Sequence, residues 1–344
     1  MKLKIALVGA GTVGQGFLNL LQEKERALKE KYDLEFEIIA VADLKYGIAS
    51  FVDKVDVSKI LIALGNNMKV DETFSTSLKG DIETVIKEVD YDVLVELTVT
   101  NLETGEPAYS FIKQALSRGK HIITTNKGPI ALYLNELKTI AKENGALLKY
   151  EGTVLAGTPL INLAHNNLAG LDIRKIEGIL NGTSNYILSE MKEGKEYNDV
   201  LKKAQELGYA EADPTADVEG WDAVAKVLIL SQDIFDKKIA KDEVEREGIT
   251  GVTLDDIKKA SSEDHTWKLI AKIEKLNGNI KASVKPQKIA NNHPLAGING
   301  ATNALTFTTD YLQQVTISGP GAGKYETGFA VLNDLISINN ELKK

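Results

Sequence analysis

The stretch GYAEADPTADVEGWDAVAK, residues 208–226, concentrates side chains suited to acid–base chemistry. Five carboxylates fall within twelve of its positions, namely Glu211, Asp213, Asp217, Glu219 and Asp222. Lys226 follows Asp222 by four residues, which places both on one face of a helix, and the apolar run VAKVLIL predicts partial burial of that helix. A buried lysine needs a carboxylate partner or a shifted pKa, so Lys226 is a candidate proton donor. A purely structural Asp222–Lys226 ion pair is the alternative.

This combination of side chains suits a substrate that carries both an ammonium group and a carbonyl. The carboxylates would bind the ammonium group, and the lysine would protonate the alkoxide that forms when hydride reaches the carbonyl. The chain contains no cysteine, which excludes disulfides, thiolate metal sites and cysteine nucleophiles. Its four histidines are not spaced as metal ligands.

A glycine motif that could bind a dinucleotide lies near the N-terminus. Gly9, Gly11 and Gly14 form GAGTVG directly after the apolar run 3–8 and open a helical pattern, as phosphate-binding loops do. Asp43 ends the second strand, where a carboxylate binds the adenosine ribose and repels a 2′-phosphate, which favours NAD. Lys45 could instead engage a phosphate. A ligand-free glycine turn and a strand-end cap at Asp43 are the alternatives.

The segment TTNKGP, residues 124–129, follows a later strand of the same region. Ligands of open parallel sheets collect outside the carboxyl ends of the strands, so Lys127 would lie where nicotinamide and substrate meet. A solvated turn is the alternative for this lysine.

The elements that position these residues divide the chain in two. Strand and helix patterns alternate through residue 150, which predicts an α/β fold with a Rossmann-type doubly wound parallel sheet. The region 44–77 is less regular, and 237–262 is expected to hold short helical elements. Residues 151–318 are predicted to form a second, α+β domain for catalysis and dimerisation, with strands in 280–315. Residues 319–344 contain a helix that returns to the first domain.

Composition limits the classes of protein. The 344 residues carry a net charge of −8 with dispersed Lys and Arg, which argues against nucleic acid and anionic membranes as partners. The N-terminus lacks a cleavage site typical of signal peptides, and no apolar run is long enough to span a membrane. A cytoplasmic protein is expected.

In motif order and spacing the whole chain resembles homoserine dehydrogenases, in the short form without kinase or ligand-sensing domains. The motifs that carry the resemblance are GAGTVG, TTNKGP, EGTVLAGTP, GILNGTSNYIL, GYAEADPTADVEGWDAVAK and GPGAG. The family interconverts L-homoserine and L-aspartate 4-semialdehyde with NAD or NADP, on the branch to threonine and methionine.

The resemblance implies roles for individual residues. The catalytic group would be Lys226, with Asp222 as its partner and Lys127 between nicotinamide and substrate. The substrate would contact Glu211, Asp217 and Thr183, although a helix N-cap explains Thr183 equally well. The implied cofactor-binding residues are Gly9, Gly11, Thr12, Val13, Gly14, Asp43, Thr98, Lys127, Gly321 and Gly323.

The resemblance also implies a sodium ion near the hinge and a homodimer. The sodium ligands would be Glu151 and the carbonyls of Val154, Ala156 and Thr158, with an ordinary hydrogen-bonding role for Glu151 as the alternative. Two other functions stay open at this point: another two-domain dehydrogenase, acting on aspartate or a sugar, and a dinucleotide-sensing protein without catalysis.

Overall fold

A computed structural model, which describes residues 2–78, 80–276 and 278–344, divides the chain into two compact units. The first contains the residues through Gly157 together with Gly323–Lys344, and the second is Thr158–Ala322. The borders predicted from the sequence, at 150/151 and 318/319, stay a proposal. Within the described residues no helix is both long and apolar enough to cross a membrane.

The first unit is built on a sheet of six strands. They are β1 (Lys2–Val8), β2 (Glu35–Asp43), β3 (Gly47–Ser50), β4 (Val93–Glu96), β5 (His121–Thr124) and β6 (Leu148–Lys149). Their order is β3-β2-β1-β4-β5-β6, and neighbours are parallel except β2 and β3. The Rossmann-type sheet predicted from the alternating pattern is confirmed, with one antiparallel edge strand that the pattern did not indicate.

Six helices connect these strands. They are α1 (Thr12–Tyr32), α2 (Val57–Gly65), α3 (Val70–Thr73), α4 (Ile82–Glu88), α5 (Ala108–Ser117) and α6 (Lys127–Glu143). In α1 the buried Phe17, Leu21 and Leu28 recur at helical spacing, and they pack on Ile5 and Leu7 of β1. Helix α6 begins at Lys127, so the solvated turn considered as the alternative for this lysine is wrong.

The second unit contains a mixed sheet, mostly antiparallel. Its strands are β7 (Ile173–Ile179), β8 (Glu245–Arg246), β9 (His265–Leu276), β10 (Asn279–Ala290), β11 (Thr302–Thr309) and β12 (Gln314–Pro320). The order is β12-β11-β7-β9-β10-β8, with only β8 and β10 parallel. The sequence indicated the strands after residue 280 but neither β7 nor β9.

The helices of this unit are α7 (Leu160–Asn162, continued as a π-helix over Leu163–Asn167), α8 (Gly182–Lys192), α9 (Tyr197–Glu206), α10 (Thr215–Val218), α11 (Trp221–Phe235) and α12 (Leu254–Ser262). Two of them, α10 and α11, carry Asp217, Asp222 and Lys226. Helix α11 is buried from Ala223 through Asp233, as its apolar sequence predicts.

The last helix, α13 (Lys324–Glu341), belongs to the first unit. Its buried Val331, Leu335 and Ile338 join the core that β1 and α1 form. Three aliphatic side chains of this C-terminal helix therefore lie in the core of the first unit.

Candidate active site

The three motif glycines of the loop between β1 and α1 differ in what surrounds them. Gly9 has φ of +95°, and a Cβ there would lie 2.5 Å from the Leu97 carbonyl carbon. A Cβ on Gly14 would lie 2.4 Å from the Gly9 oxygen, whereas a Cβ on Gly11 would meet no atom within 4 Å. Gly9 and Gly14 are thus required by the fold, and Gly11 leaves open space at the start of α1, a position that suits a phosphate group.

Asp43 ties the end of β2 to this loop. Its Oδ2 accepts a hydrogen bond from the Ala10 amide at 2.7 Å, and its Oδ1 accepts from the amides of Lys45 and Tyr46 at 2.7 and 3.2 Å. The strand-end cap considered from the sequence is therefore present. A carboxylate offers about four acceptor positions, so one more contact, such as a ribose hydroxyl, is compatible with these three.

A buried carboxyl group, not recognised from the sequence, organises the ends of β4 and β5. Glu96 is fully buried, and its Oε1 accepts hydrogen bonds from the amide of Thr98, at 2.8 Å, and from the Thr98 hydroxyl. Its Oε2 accepts from the Thr124 hydroxyl at 2.8 Å. Burial raises the pKa of Glu96. An acid at the end of the apolar strand VLVE was the available signal for this group.

The same network extends to the start of α6. The amide of Asn126 donates to the Thr124 hydroxyl at 3.0 Å, and its side-chain nitrogen donates to the Thr98 carbonyl at 3.2 Å. Asn126 is also the N-cap of α6, since its Oδ1 accepts from the Gly128 amide. Thr98 and the first helical residue, Lys127, are thus held at the carboxyl edge of the sheet. The half-exposed Thr98 and Lys127 could both reach a bound nicotinamide there.

In the second unit the acid–base residues meet at the end of β7. The Lys226 ammonium donates to Asp222 Oδ2 at 2.8 Å and to the carbonyl of Leu180 at 2.5 Å. Only 7% of the Lys226 side chain and 17% of that of Asp222 are exposed. The side-chain amide of Asn181 donates to Asp217 Oδ1 at 2.6 Å and to Asp222 Oδ2 at 3.1 Å. We call these four side chains, Asn181, Asp217, Asp222 and Lys226, the acid–lysine cluster.

Electrostatics within the cluster favour a cation. Burial raises the pKa of Asp217, and the nearby Asp222 carboxylate adds to this shift, while Asn181 and Lys226 oppose it. With two carboxyl groups against one ammonium group, an added positive charge would balance the cluster when both carboxyls are ionised. A substrate ammonium group would supply it.

The remaining acids of the constellation serve other purposes. Asp213 accepts a hydrogen bond from the Thr215 amide at 3.1 Å, and hydrogen bonding to the hydroxyl and the amide of Thr215 lowers its pKa. Glu219 pairs with Arg246 at 3.1 Å and accepts from the Thr250 hydroxyl. The Glu211 side chain is exposed, and its backbone carbonyl accepts from Gln205. Of the five carboxylates, the structure brings two together in the acid–lysine cluster.

Thr183 and the glycine loop near residue 320 also have local contacts. Thr183 lies inside α8 and donates to the Tyr209 carbonyl at 2.6 Å. Asn181 caps this helix through the Ser184 amide, so the N-cap role considered for Thr183 is wrong.

A Cβ on Gly321 would lie 2.1 Å from the side-chain nitrogen of Asn303, and Gly323 has φ of +137°. Both glycines are therefore required by packing or conformation, whatever their role toward a cofactor.

The residues implied for sodium fall in both units, with Thr158 in the second. Glu151 is buried, and its amide donates to Asp334 Oδ2 at 3.1 Å. Burial, and then the charge of Glu151, hold the pKa of Asp334 well above its usual range. Ala156 has φ of +47°, a rare conformation for alanine. Among the described residues, no group of three or more His, Cys, Asp or Glu side chains could hold a metal ion.

The first unit has the sheet of a nucleotide-binding domain, and the second unit buries a lysine–carboxylate pair. This is the organisation of a two-domain NAD(P)-dependent oxidoreductase acting on a CH–OH group. The family models for homoserine dehydrogenase and for its NAD-binding domain match residues 159–336 and 9–151. The chain belongs to the homoserine dehydrogenase family. This membership excludes the aspartate and sugar dehydrogenases and the non-catalytic sensor considered from the sequence.

Individual relatives agree over nearly the whole chain. An NAD(+)-dependent homoserine dehydrogenase of Pseudomonas canavaninivorans is 44% identical over 337 residues, which cover 98% of this chain and 96% of the relative. A homoserine dehydrogenase of Methanocaldococcus jannaschii is 40% identical, with 99% and 100% covered. The structure of a hyperthermophilic archaeal homoserine dehydrogenase in complex with NADPH matches with a TM-score of 0.84 at 31% identity, covering 100% of this chain and 99% of the other.

Proposed function

We propose that Lys226 is the acid–base group with which this chain interconverts L-aspartate 4-semialdehyde and L-homoserine. One observation carries the proposal: the Lys226 ammonium is buried and held at 2.8 Å from Asp222. In the reductive direction the aldehyde carbon accepts hydride and its oxygen takes a proton from Lys226. In the oxidative direction the unprotonated lysine removes the proton of the hydroxyl group. Asp222 favours the charged lysine and orients it throughout.

The substrate ammonium group is proposed to bind beside Asp217, with Glu211 as a second carboxylate and Thr183 close by. The charge imbalance of the acid–lysine cluster supports this choice, because a bound ammonium group would compensate the second carboxylate. The exposed Glu211 side chain can reach a ligand from solvent.

The cofactor is proposed to bind along the first unit. Gly9, Gly11, Thr12, Val13 and Gly14 would hold its pyrophosphate, Asp43 its adenosine ribose, and Thr98 and Lys127 its nicotinamide end, with Gly321 and Gly323 closing over it. NAD(P) supplies or accepts the hydride when bound. Lys127 would place a positive charge near the alkoxide oxygen. The Asp43 carboxylate favours NAD over NADP, since it repels a 2′-phosphate.

Three further assignments belong to the same proposal. The left-handed Ala156 turns the loop after the buried Glu151, which supports a sodium ion held by Glu151 and the carbonyls of Val154, Ala156 and Thr158. The chain is proposed to form a homodimer through the sheet of the second unit, where the strand β12 has an unpaired edge in the described residues. It is proposed to act in the cytoplasm.

The direct test is reduction of NAD and NADP with L-homoserine at alkaline pH, followed by absorbance. Lys226→Ala is expected to lower kcat by at least about 100-fold, in the range of a lost general acid–base group, while NADH affinity measured by fluorescence stays within about twofold. Lys258→Ala, which removes an exposed lysine of α12 in the same unit, is the matched control. Wild-type turnover by Lys226→Ala would contradict the assignment of the lysine.

A further inference from the structure

The side-chain amide of Asn181 joins four elements of the second unit. It follows β7, donates to Asp217 of α10 and to Asp222 of α11, and accepts from the Ser184 amide at the start of α8. Only 5% of Asn181 is exposed. The carbonyl of the preceding residue, Leu180, accepts a hydrogen bond from the Lys226 ammonium. Leu180 therefore contacts the positive charge of the acid–lysine cluster, and Asn181 contacts its two carboxylates.

The chemistry of its partners determines the orientation of the amide. Carboxylates only accept hydrogen bonds and a backbone N–H only donates, so the nitrogen of Asn181 must face the two acids and its oxygen must face Ser184. The two N–H groups are then divided between Asp217 and Asp222. All three polar contacts are satisfied, and the flipped orientation would oppose like groups at each of them.

We propose that Asn181 is the positioning residue of the acid–base machinery, whose amide holds Asp217 and Asp222 in fixed geometry around Lys226 during proton transfer. This inference rests on the roles proposed above for these three residues. Asp222 Oδ2 accepts from both Lys226 and Asn181, at 2.8 and 3.1 Å. When Lys226 gives up its proton, Asp222 loses its ionic partner but keeps the amide donor, which does not titrate. The carboxylate therefore stays in place for the lysine to be protonated again.

The amide also keeps two neighbouring acids ionised together. The charged groups that the structure places around it are Asp217 on α10 and Asp222 and Lys226 on α11, and like charges at this spacing disfavour joint ionisation. A hydrogen bond donated to each carboxylate stabilises its charged form and counters this repulsion. A negatively charged pair is what the substrate ammonium group needs.

Capping of α8 alone does not account for asparagine at this position. Serine and aspartate serve equally well as N-caps, since each offers an oxygen to the helix amides. Only asparagine among these three supplies two N–H donors as well. Asn181→Ser and Asn181→Asp therefore keep the cap and remove both N–H donors of the amide, and Asn181→Asp adds a negative charge.

The experiment measures semialdehyde reduction against pH for wild type, Asn181→Ser and Asn181→Asp. We expect kcat/KM of Asn181→Ser for the semialdehyde to fall about 10- to 100-fold, as for other groups that orient an active side chain. The acidic limb of its kcat/KM–pH profile should shift to higher pH by about one unit, because carboxylates that have lost the amide donors take up protons more readily. The limb of Asn181→Asp should move further. The affinity for NADH should be unchanged in both.

Two controls separate the possible outcomes. Thr253→Ala removes the N-cap of α12, far along the chain, and should lower the melting temperature with no shift of the pH profile. Lys226→Ala tests the underlying mechanism: if it keeps wild-type activity, the proposed function fails. If Lys226→Ala is inactive but Asn181→Ser keeps the wild-type limb, only the present inference fails. Failure of both Asn181 variants to fold would also overturn it, since the amide would then be a structural group.

Discussion

Glu96 and Thr124 face each other across the neighbouring parallel strands β4 and β5, and the Thr124 hydroxyl donates to Glu96 Oε2 at 2.8 Å. The carboxyl group is fully buried and also binds Thr98, one of the proposed nicotinamide contacts. A group with no exposure to solvent thus determines where the carboxyl edge of the sheet presents its hydroxyl and amide groups.

Glu96→Ala is expected to lower the free energy of unfolding by about 1–3 kcal/mol, because the donors of Thr98 and Thr124 lose their acceptor. The Michaelis constant for NAD should rise in the same variant, since Thr98 is no longer held. Urea denaturation and initial rates measure the two effects. Glu96→Gln keeps one carbonyl acceptor and the volume, so it should retain more of both properties. Equal losses in the two variants would show that the acceptor is not the decisive feature.

The buried Glu96 also predicts a pH dependence of stability. An unfolded glutamate ionises near pH 4.3, whereas burial raises the pKa of Glu96 in the folded chain. Above pH 4.3 the folded state therefore binds a proton that the unfolded state has released, and folding stability falls as pH rises until the raised pKa is passed. Glu96→Gln lacks this proton. Its free energy of unfolding relative to wild type should increase between pH 4.5 and pH 7.5, and a constant difference would contradict the raised pKa.

In the glycine loop between β1 and α1, effects of a substitution on folding can be separated from effects on cofactor binding. Gly14→Ala would place a Cβ 2.4 Å from the Gly9 oxygen, so its melting temperature should drop by several degrees. Gly11→Ala meets no atom within 4 Å and has an ordinary φ of −71°, so its melting temperature should stay close to wild type. Its added methyl group lies in the space proposed for the pyrophosphate, and the Michaelis constant for NAD should rise at least about tenfold. Unchanged kinetics in Gly11→Ala would place the phosphates elsewhere.

Asp43 tests cofactor preference. Asp43→Asn keeps an oxygen acceptor but removes the charge that repels a 2′-phosphate, so the ratio of NADP to NAD activity should rise by about tenfold. Because asparagine has one oxygen where aspartate has two, either the Ala10 amide or the Lys45 amide loses its acceptor. This loss should lower the free energy of unfolding by about 1 kcal/mol. Rates with both cofactors and urea denaturation measure the two changes. If stability falls but the ratio of NADP to NAD activity is unchanged, Asp43 is a strand-end cap without a role in cofactor preference.

Local patterns predicted the features that depend on neighbours in the chain. A strand, a glycine motif and a helix are consecutive between Lys2 and Tyr32, and burial of Lys226 follows from the apolar sequence of its own helix. Alternation likewise indicated the parallel sheet. Each of these predictions needs only the period of a strand or a helix.

Features that depend on distant pairing were not predictable in this way. Asn181 is separated by 36 residues from Asp217 and by 41 from Asp222, and spacing among five acids does not tell which two will meet it. Strand β9 was missed because Lys268, a charged residue, lies among its buried positions and interrupts the apolar pattern. Burial of such a group becomes favourable only through partners from other elements.

Lys268 itself supports the last prediction. It is 1% exposed, and its ammonium donates to the side-chain oxygens of Asn185 and Asn299 at 3.0 and 3.1 Å and to the Ile298 carbonyl. Through these contacts Lys268 links α8 to the loop that precedes β11. Lys268→Met should lower the free energy of unfolding by about 1–3 kcal/mol at pH 7, because the three oxygens lose their donor.

The pH dependence of this loss distinguishes the buried ammonium from a simple packing effect. Burial, and then the charge of Lys192, lowers the pKa of Lys268 to about 8, whereas an unfolded lysine titrates near 10.4. Between these values the unfolded chain holds a proton that the folded chain has released, so wild-type stability rises with pH. Lys268→Met has no such proton, and its deficit should grow by about 1–2 kcal/mol from pH 7.5 to pH 9.5. Urea denaturation at both pH values measures it, with Lys288→Met, an exposed-strand substitution, as control. A deficit independent of pH would mean that Lys268 keeps its proton in the folded protein.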